Sequence, residues 1–394
     1  MKLLAKAVTE ISEADLEELV TGEVVEHLQL EYKRELPRRD QRAKREFLYD
    51  VTSFANAIGG LIIYGVPEND RAAPAMLAGL EGINPEAEIS RLEQMLLSGV
   101  QPRLRLPEFA PVVLGNGRVL IVVRVRQSWT PPHMVTLDDV QRFYARRTTG
   151  RYLLDVSEIR AAFLGADRAT ERIRDWRLQR LAAIDAGVSP VGTSADVPKV
   201  VLHLVPLSAG RIEGAAVDLS VLDPGRVLLR PMAGGGSLDW RRNFDGFLCW
   251  SPSSSGPPPG YSLMFRSGAI ETTSSRSFSS ERRASDHPII RMKIVEREVM
   301  ISVSELMKVQ EIVGLEPPLF VMVSLLRVFG HWERSGLSDG GAPIDRNELL
   351  LPELRFESFD ADSARSLRPA FDVMWQAVGL TGSPSFDESG TYRG

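Results

Sequence analysis

Residues 50–66 read DVTSFANAIGGLIIYGV, and this stretch predicts a helix followed by a buried strand. The glycine pair at 59 and 60 ends the helix, because glycine accepts the left-handed conformation of a helix terminus. The apolar run 61–66 is rich in β-branched residues and short enough for a buried strand. The residues at helical spacing ahead of the glycines are Phe47, Val51, Phe54, Ala55 and Ile58.

The composition is that of an ordinary globular protein. The chain has 394 residues, 43% of them hydrophobic and 25% charged, and a formal net charge of −5. Cys249 is the single cysteine, which excludes an intrachain disulfide and favours a reducing, cytoplasmic setting. No apolar stretch approaches the roughly 20 residues that span a bilayer, and the first residues lack the apolar core of a secretory signal.

The pattern of elements predicts an α+β fold in two domains. An N-terminal domain of mixed sheet and flanking helices is expected at 1–165, followed by a helical connector and linker at 166–198. A second α+β domain is expected at 199–380, and the remaining residues 381–394 are expected to form a disordered tail. Strands of the second domain are predicted near 217–221, 227–229, 245–250, 261–266 and 289–295, and its helices at 302–313, 318–329 and 363–378.

A set of carboxylates surrounds the first predicted strand and the turn after the second. Polar and apolar residues alternate from residue 28 to residue 33, so Glu31 and Lys33 share one face of a strand. Glu26 would face the opposite way in a straight strand, and a bend is needed before it can join Glu31. Glu68 and Asp70 lie in the turn at 67–70. Carboxylate oxygens suit Mg²⁺ or Mn²⁺, although acids near turns are more often simply solvated.

Two segments are strongly basic. Residues 33–45 contain seven basic and two acidic residues, and residues 142–151 contain four arginines and no acid. Because like charges repel unless a polyanion offsets them, both segments are predicted to share one phosphate-binding face. The alternative is that each segment solvates a separate edge of the domain and is neutralised by nearby acids such as Glu46, Asp50, Asp138 and Asp139. The residues expected to contact nucleic acid are Lys33, Arg34, Arg42, Arg45, Arg142, Arg146, Arg147 and Arg151.

Other familiar sites are excluded or weak. The chain has no phosphate-binding loop of the G-x-x-x-x-G-K-[ST] type, so no ATP site is expected. The glycine pair follows a helix, which is the reverse of the order in a dinucleotide-binding fold. Asn56 and His133 are predicted to make structural hydrogen bonds, the first as a cap or to backbone.

Four segments, in order, resemble one family. They read EHLQLEYKREL, DVTSFANAIGGLIIYGV, VLIVVRVRQSWTPPHM and RFYARRTTGRYLLDVSEIRAAF. Together they are similar to the Schlafen-associated AlbA-type nucleic-acid-binding domain, over about residues 20–165. The part after about residue 190 resembles the carboxy-terminal part of uncharacterised bacterial proteins with this domain, which implies no activity.

The resemblance implies a nucleic-acid-binding fold and particular site residues. In Schlafen endoribonucleases, three acids bind a divalent metal and the enzymes cleave tRNA or rRNA. Two of these acids match Glu26 and Glu31 in the pattern E-x-x-x-x-E, followed by an aromatic residue and lysine. The third follows the glycine-valine that ends the strand, where this chain has Pro67 and Glu68 in place of the expected aspartates. Schlafen nucleases pair two such lobes around RNA, so a homodimer could supply the second.

Three functional hypotheses follow. The first is a nuclease that uses Mg²⁺ or Mn²⁺ at Glu26, Glu31 and Glu68 or Asp70, acts on structured RNA and serves bacterial defence. The second is a non-catalytic regulator that binds DNA or RNA and carries a C-terminal sensor or interaction domain, as the changed third acid favours. The third is a protein-interaction scaffold, which predicts no salt-dependent binding to nucleic acid. RNA is the expected partner over DNA, and no membrane is expected.

Overall fold

The computed structural model describes the chain apart from residues 1, 5, 138–139, 149, 212–215, 223–228, 233, 235–236, 255, 280–287, 334–340, 388 and 394. It divides into two compact units, residues 1–166 and 167–394. Both contain helices and sheet, so the predicted α+β class is confirmed. Among the described residues, no helix combines the length and the apolar character that crossing a membrane requires.

The first unit contains two four-stranded sheets. The strand order is β1-β2-β5-β4 in one, with β1 and β2 parallel, and β3-β6-β7-β8 in the other. The elements are α1 (Glu13–Thr21), β1 (Leu30–Lys33), α2 (Gln41–Ala55), β2 (Gly60–Tyr64), α3 (Pro85–Gly99), β3 (Val100–Gln101), β4 (Glu108–Val113), β5 (Val119–Val125), β6 (Met134–Leu137), β7 (Val140–Arg147), β8 (Gly150–Leu153) and the start of α4 (Val156–Asp185).

The stretch at 50–66 forms the predicted helix and strand, but the helix ends at Ala55, and Ile58, which was predicted to lie in its apolar stripe, is 46% exposed. Strand β2 is buried along its whole length because both of its faces are covered. Ile62 and Tyr64 pack with α2 and α3, whereas Leu61 and Ile63 pack in the cluster that includes α1. At the hinge, Gly59 has φ of 71°, and a Cβ there would lie 2.7 Å from the carbonyl oxygen of Val125. Only glycine can therefore make this turn without displacing β5.

The second unit is built on an eight-stranded sheet with strand order β10-β11-β12-β13-β9-β16-β18, in which β19 also pairs with β16. Helices α5 and α6 contribute to its main apolar core. The elements are β9 (Lys199–Pro206), β10 (Asp239–Arg242), β11 (Gly246–Trp250), β12 (Tyr261–Phe265), β13 (Ile270–Ser274), β14 (Phe278–Ser279), β15 (Ile289–Ile290), α5 (Met292–Ile312), β16 (Leu319–Leu326), β17 (Trp332–Glu333), β18 (Glu348–Leu350), β19 (Leu354–Phe356) and α6 (Ser363–Gln376).

Several local predictions in the second unit were wrong. The segment 318–329, predicted as a helix, contains the buried strand β16, because a short apolar run does not by itself distinguish the two. The strand predicted at 289–295 is short and gives way to α5 at Met292. The strand predicted at 217–221 contains instead a 3₁₀ turn, Leu219–Val221. Of the strand predicted at 227–229, residues 227 and 228 lie outside the described residues.

The helix predicted within the connector at 166–198 is part of α4, which is continuous from Val156 to Asp185. In the second unit, its Arg180 donates two hydrogen bonds of 2.9 Å to the buried Glu271 of β13. The residues predicted as a tail include Ser383 and Ser385, which donate hydrogen bonds to the buried Glu296 of α5.

Candidate nucleic-acid site

A bend in the chain brings Glu26 back to the edge of β1. His27 and Leu30 pair their backbones in an antiparallel bridge, with both N–H···O distances at 3.1 Å. The carboxylate of Glu26 then accepts a hydrogen bond of 2.7 Å from the backbone N–H of Tyr32. The bend that Glu26 and Glu31 require is therefore present.

Two of the predicted acids, Glu31 and Glu68, act on a third, Glu26. Burial, the charges of Glu31 and Glu68 and a hydrogen bond with the Glu68 side chain raise the pKa of Glu26 to about 7, although the Tyr32 N–H acts in the opposite direction. Asp70 is exposed in the turn that follows Glu68. A carboxyl group whose pKa is raised toward neutrality by burial and by neighbouring carboxylates is common at functional sites.

Glu31 is held by two cations. One of its oxygens accepts a hydrogen bond from Lys33 Nζ, and the other accepts one from the guanidinium of Arg146. Burial by itself would raise the pKa of Glu31, but the charges of Lys33 and Arg146 outweigh burial and hold the pKa below its usual range. Within the described part of the chain, no group of three histidine, cysteine, aspartate or glutamate side chains is arranged to hold a metal ion.

Asp50 extends this network along α2. Its carboxylate is 4% exposed, lies 3.7 Å from Lys33 Nζ and accepts a hydrogen bond of 2.6 Å from Arg151 of β8. Arg151 also donates to Glu46, one turn earlier on the helix. Asp50 and Glu46 were predicted only as nearby acids that could neutralise a basic segment, and both pair with Arg151. The spacing of Asp50, three from Phe47 and four from Phe54 on the apolar face, is the signal that could have found it.

Arginine side chains of the β7–β8 hairpin also pack on aromatic rings. The guanidinium carbon of Arg146 lies 4.3 Å from the ring centroid of Phe54, and that of Arg147 lies 3.9 Å from the ring of Tyr152. Such contacts add about 0.5–2 kcal/mol, with the larger value for desolvated pairs. The hairpin is thus fixed to α2 by both charge and packing.

The two basic segments approach each other at Tyr49. Burial and the neighbouring Tyr144 raise the pKa of Tyr49, while the charges of Arg45 on α2 and Arg142 on β7 lower it. Both arginines therefore lie near one tyrosine, although they are far apart in sequence. The rings of Tyr49 and Tyr144 are 4.2 Å apart, which joins the helix to the hairpin at this point.

The predicted phosphate-binding residues divide into two groups. Arg146 is 6% exposed and is paired with Glu31, and Arg151 is paired with Glu46 and Asp50. Lys33 lies between Glu31 and Asp50, and Arg45 is half-buried. The exposed arginines of the two segments are Arg34, Arg38, Arg39, Arg42, Arg142 and Arg147. These six exposed arginines can therefore contact phosphate without breaking a buried ion pair.

Asn56 and His133 make the structural hydrogen bonds that were predicted. Asn56 Nδ2 donates to the carbonyl oxygens of His133 and Tyr144 at 2.9 and 2.8 Å, and its Oδ1 accepts from the His133 N–H at 2.7 Å. The His133 ring lies 2.9 Å from the carbonyl oxygen of Pro102 and 2.6 Å from Ser128 Oγ. His133 is 1% exposed, so its ring is committed to the interior.

The first unit thus combines a mixed-sheet α+β fold with an exposed basic surface and a carboxylate cluster. Residues 26–155 match the family described as Schlafen, AlbA_2, and the first unit therefore carries a domain of that family. The resemblance seen in the sequence is confirmed, and the family indicates nucleic-acid binding. The second unit lies outside the matched residues.

Two solved structures are similar to parts of the chain. One is the N-terminal domain of a RecG-related protein from Nitrosomonas europaea, with 27% identity and a TM-score of 0.23, over 30% of this chain and 74% of that one. The other is a protein from Corynebacterium diphtheriae, with 14% identity and a TM-score of 0.26, over 36% of this chain and 26% of that one. The comparison with curated proteins gave no match.

Proposed function

We propose that the first unit binds nucleic acid, with RNA preferred to DNA, along the surface shared by α2 and the β7–β8 hairpin. The observation that carries this proposal is the packing of the β7–β8 hairpin on α2, where the rings of Tyr49 and Tyr144 lie 4.2 Å apart and Arg151 pairs with Glu46 and Asp50. It supports a single basic surface built from two segments that are distant in sequence. The preference for RNA rests on the resemblance to the Schlafen ribonucleases.

The exposed arginines of this surface have the chemistry that the proposal requires. Arginine presents several N–H donors in a planar array that fits phosphate oxygens. Each phosphate contact releases condensed counterions, so the binding should weaken as salt is raised. Protein acids do not neutralise all of these cations closely, since Arg38 lies 3.4 Å and Arg39 3.8 Å from their carboxylate partners.

Binding of a tRNA pool by the full chain, measured by fluorescence anisotropy at several salt concentrations, tests the proposal. We expect the Arg42→Ala and Arg142→Ala variants to weaken binding for all sequences and to reduce the salt slope by about one unit for each lost contact. Arg118→Ala is the matched control, because Arg118 is an exposed arginine of the same unit that pairs with Glu81 outside this surface. Salt-independent binding, or none, would reject the proposal and favour the scaffold hypothesis.

A second candidate function is metal-dependent cleavage of structured RNA. The observation that favours it is the position of Glu26, where burial and the nearby carboxylates of Glu31 and Glu68 raise its pKa to about 7. Mg²⁺ is commonly held by one or two carboxylates together with substrate phosphates. Glu26 and Glu68 would hold Mg²⁺ or Mn²⁺ in that way, while Glu31 remains paired with Lys33 and Arg146. Such an ion supplies an activated water and stabilises charge on the phosphate.

Incubation of a tRNA pool with the protein and Mn²⁺ tests this second function. We expect cleavage by the wild type and its loss in Glu26→Gln, Glu68→Gln and Glu31→Gln variants, with Asp70→Asn as a control from the same exposed turn. Cleavage that is equal in all variants, or absent throughout, would contradict it. Binding without cleavage and insensitive to chelator would instead support the non-catalytic regulator.

The proposed RNA binding also predicts how the chain assembles. If two lobes must enclose the RNA, the chain should form a homodimer on binding. Light scattering coupled to size exclusion, with and without a tRNA, measures this directly. A monomer in both conditions would remove the homodimer and leave the binding surface unaffected.

A further inference from the structure

A cavity of about 510 Å³ opens beside Lys33 in the first unit. It lies between the end of β1, the loop at 34–40 and the start of α2. Its lining includes the buried side chains Phe47, Asp50 and Tyr64 as well as the exposed Arg38 and Arg42. The volume falls within the range of about 300–1,000 Å³ that is usual for small-ligand pockets.

The carboxylates that line this cavity already have partners within the protein. These contacts are Asp50 and Glu46 with Arg151, Glu35 with Arg38, and Asp40 with the N–H of Ala43. Arg42 is exposed at the opening. The side chain of Arg38 is 77% exposed, and its contact with Glu35 is long, at 3.4 Å. An anionic group can thus bind at the exposed end without displacing a buried ion pair.

The inner part of the cavity has the chemistry for a base. Leu36 and Pro37 are half-buried and present apolar surface, and Phe47 is 1% exposed beside them. Tyr64 and Asp50 also line it, and burial raises the pKa of Tyr64 well above its usual value, so its hydroxyl stays protonated. A hydroxyl donor and a carboxylate acceptor are groups that read the edge of an unpaired base.

We infer that this cavity holds one unpaired nucleotide of the bound strand, with its base between Leu36, Pro37 and Tyr64 and its phosphate on Arg38 and Arg42. The inference rests on the proposed nucleic-acid binding and narrows its substrate to single-stranded or looped segments. A paired base is stacked and its pairing edge is occupied, so it cannot enter a pocket bounded by buried side chains. Lys33 lines the cavity and also bonds Glu31, so the strand continues from the pocket to the glutamate cluster.

The test measures binding of the full chain to a ten-nucleotide RNA, alone or annealed to its complement, in the presence of EDTA so that no cleavage occurs. We expect the wild type to bind the single strand about tenfold more tightly, which is about 1.4 kcal/mol. Arg42→Ala should remove this preference. Arg39→Ala is the matched control for the preference alone: as an exposed arginine of the same surface it should weaken binding to both RNA forms, but it does not line the cavity and faces Glu88, so the preference for the single strand should remain.

Competition separates the base from the phosphate. Adenosine 5′-monophosphate should displace the single strand from the wild type but not from Arg42→Ala. Inorganic phosphate at the same concentration should not displace the strand from the wild type. Equal competition by phosphate, or equal losses in Arg42→Ala and Arg39→Ala on both RNA forms, would overturn the pocket while the proposed binding function stands. If the wild type binds neither RNA form, both the pocket and the proposed function are rejected.

Discussion

Asp50 in the middle of α2 accepts a hydrogen bond of 2.6 Å from Arg151 of β8, across 101 residues of sequence. This contact joins the helix of the opening stretch to the hairpin that carries the second basic segment. Because Asp50 is 4% exposed, its charge depends on the cations of Arg151 and Lys33. The geometry of the proposed nucleic-acid surface therefore depends on a buried ion pair.

Asp50→Ala should destabilise the first unit strongly. It leaves Lys33 with Glu31 alone and Arg151 with only the half-exposed Glu46. Removal of one partner of a buried pair costs about 3–5 kcal/mol, of which we expect the lower value because each cation keeps one partner and Arg151 is partly exposed. Hydrogen exchange of the α2 amides in the full chain measures the loss.

Glu46→Ala is the control for Asp50→Ala. Glu46 bonds the same arginine, but its side chain is 47% exposed, so the loss should be below about 1 kcal/mol. Equal losses in the two variants would show that burial does not set the strength of this network.

Arg146 and Arg147 should have separable roles although they are adjacent. Arg146→Ala leaves Glu31 buried without Arg146 and should cost about 3 kcal/mol of stability. Arg147 has a side chain that is 62% exposed and pairs with Glu158, so Arg147→Ala should leave stability within about 0.5 kcal/mol and reduce the salt slope of RNA binding by about one unit. Chemical denaturation and anisotropy give the two readouts. Identical profiles for both variants would contradict the assignment.

The stability of the first unit should depend on the ionisation of Glu26. Because the folded state raises its pKa from 4.5 to about 7, the stabilising contribution of the protonated carboxyl is complete below about pH 4.5 and is lost as the pH rises through about 7. Glu26→Gln keeps a neutral side chain, so it should match the wild type near pH 4.5 and exceed it by about 1 kcal/mol at pH 8, after an allowance for solvent screening.

Urea denaturation at pH 4.5, 6 and 8 measures this difference. Glu17→Gln on the exposed face of α1 serves as the control, and its difference from the wild type should be the same at each pH. If the difference in unfolding free energy between Glu26→Gln and the wild type did not change with pH, the cluster of glutamates would be excluded as the cause of the pH dependence. If Glu26 and Glu68 bind Mn²⁺, the ion must displace the proton of Glu26, so its affinity should rise with pH through about 7.

Glu296 should hold the last residues of the second unit. It is fully buried and accepts hydrogen bonds from Trp375 Nε1 at 2.7 Å and from Ser383 and Ser385. Glu296→Ala would leave these donors unpaired at a cost of about 3 kcal/mol or more, whereas Ser385→Ala removes one bond at about 1 kcal/mol. Limited proteolysis should release residues after 380 in the first variant and not in the second. Protection in both would mean that other contacts secure this segment.

The sequence alone determined the local order of the first unit. The apolar spacing of α2, the glycines at its end and the alternation around Glu31 and Lys33 predict elements that the structure contains, since each follows from contacts within a few residues. The resemblance to the Schlafen AlbA_2 family could also be recognised from the sequence, because the four segments that carry it keep their residues and their order. The helix predicted at 318–329 failed because a uniformly apolar run carries no period, and only its position between β9 and β18 makes it a strand.

Tertiary structure decided how the charges are used. Sequence places Arg146, Arg147 and Arg151 in one basic run, yet Glu31, Asp50 and Glu46 bind two of them in ion pairs that join residues 101 to 115 positions apart. It also brings Glu26 back to β1 and places Glu68 near it, which sets the pKa of Glu26. Spacing along a chain reports which residues share a helix or strand face, whereas the distance between charges on separate elements, and their exposure to water, exists only once the elements pack.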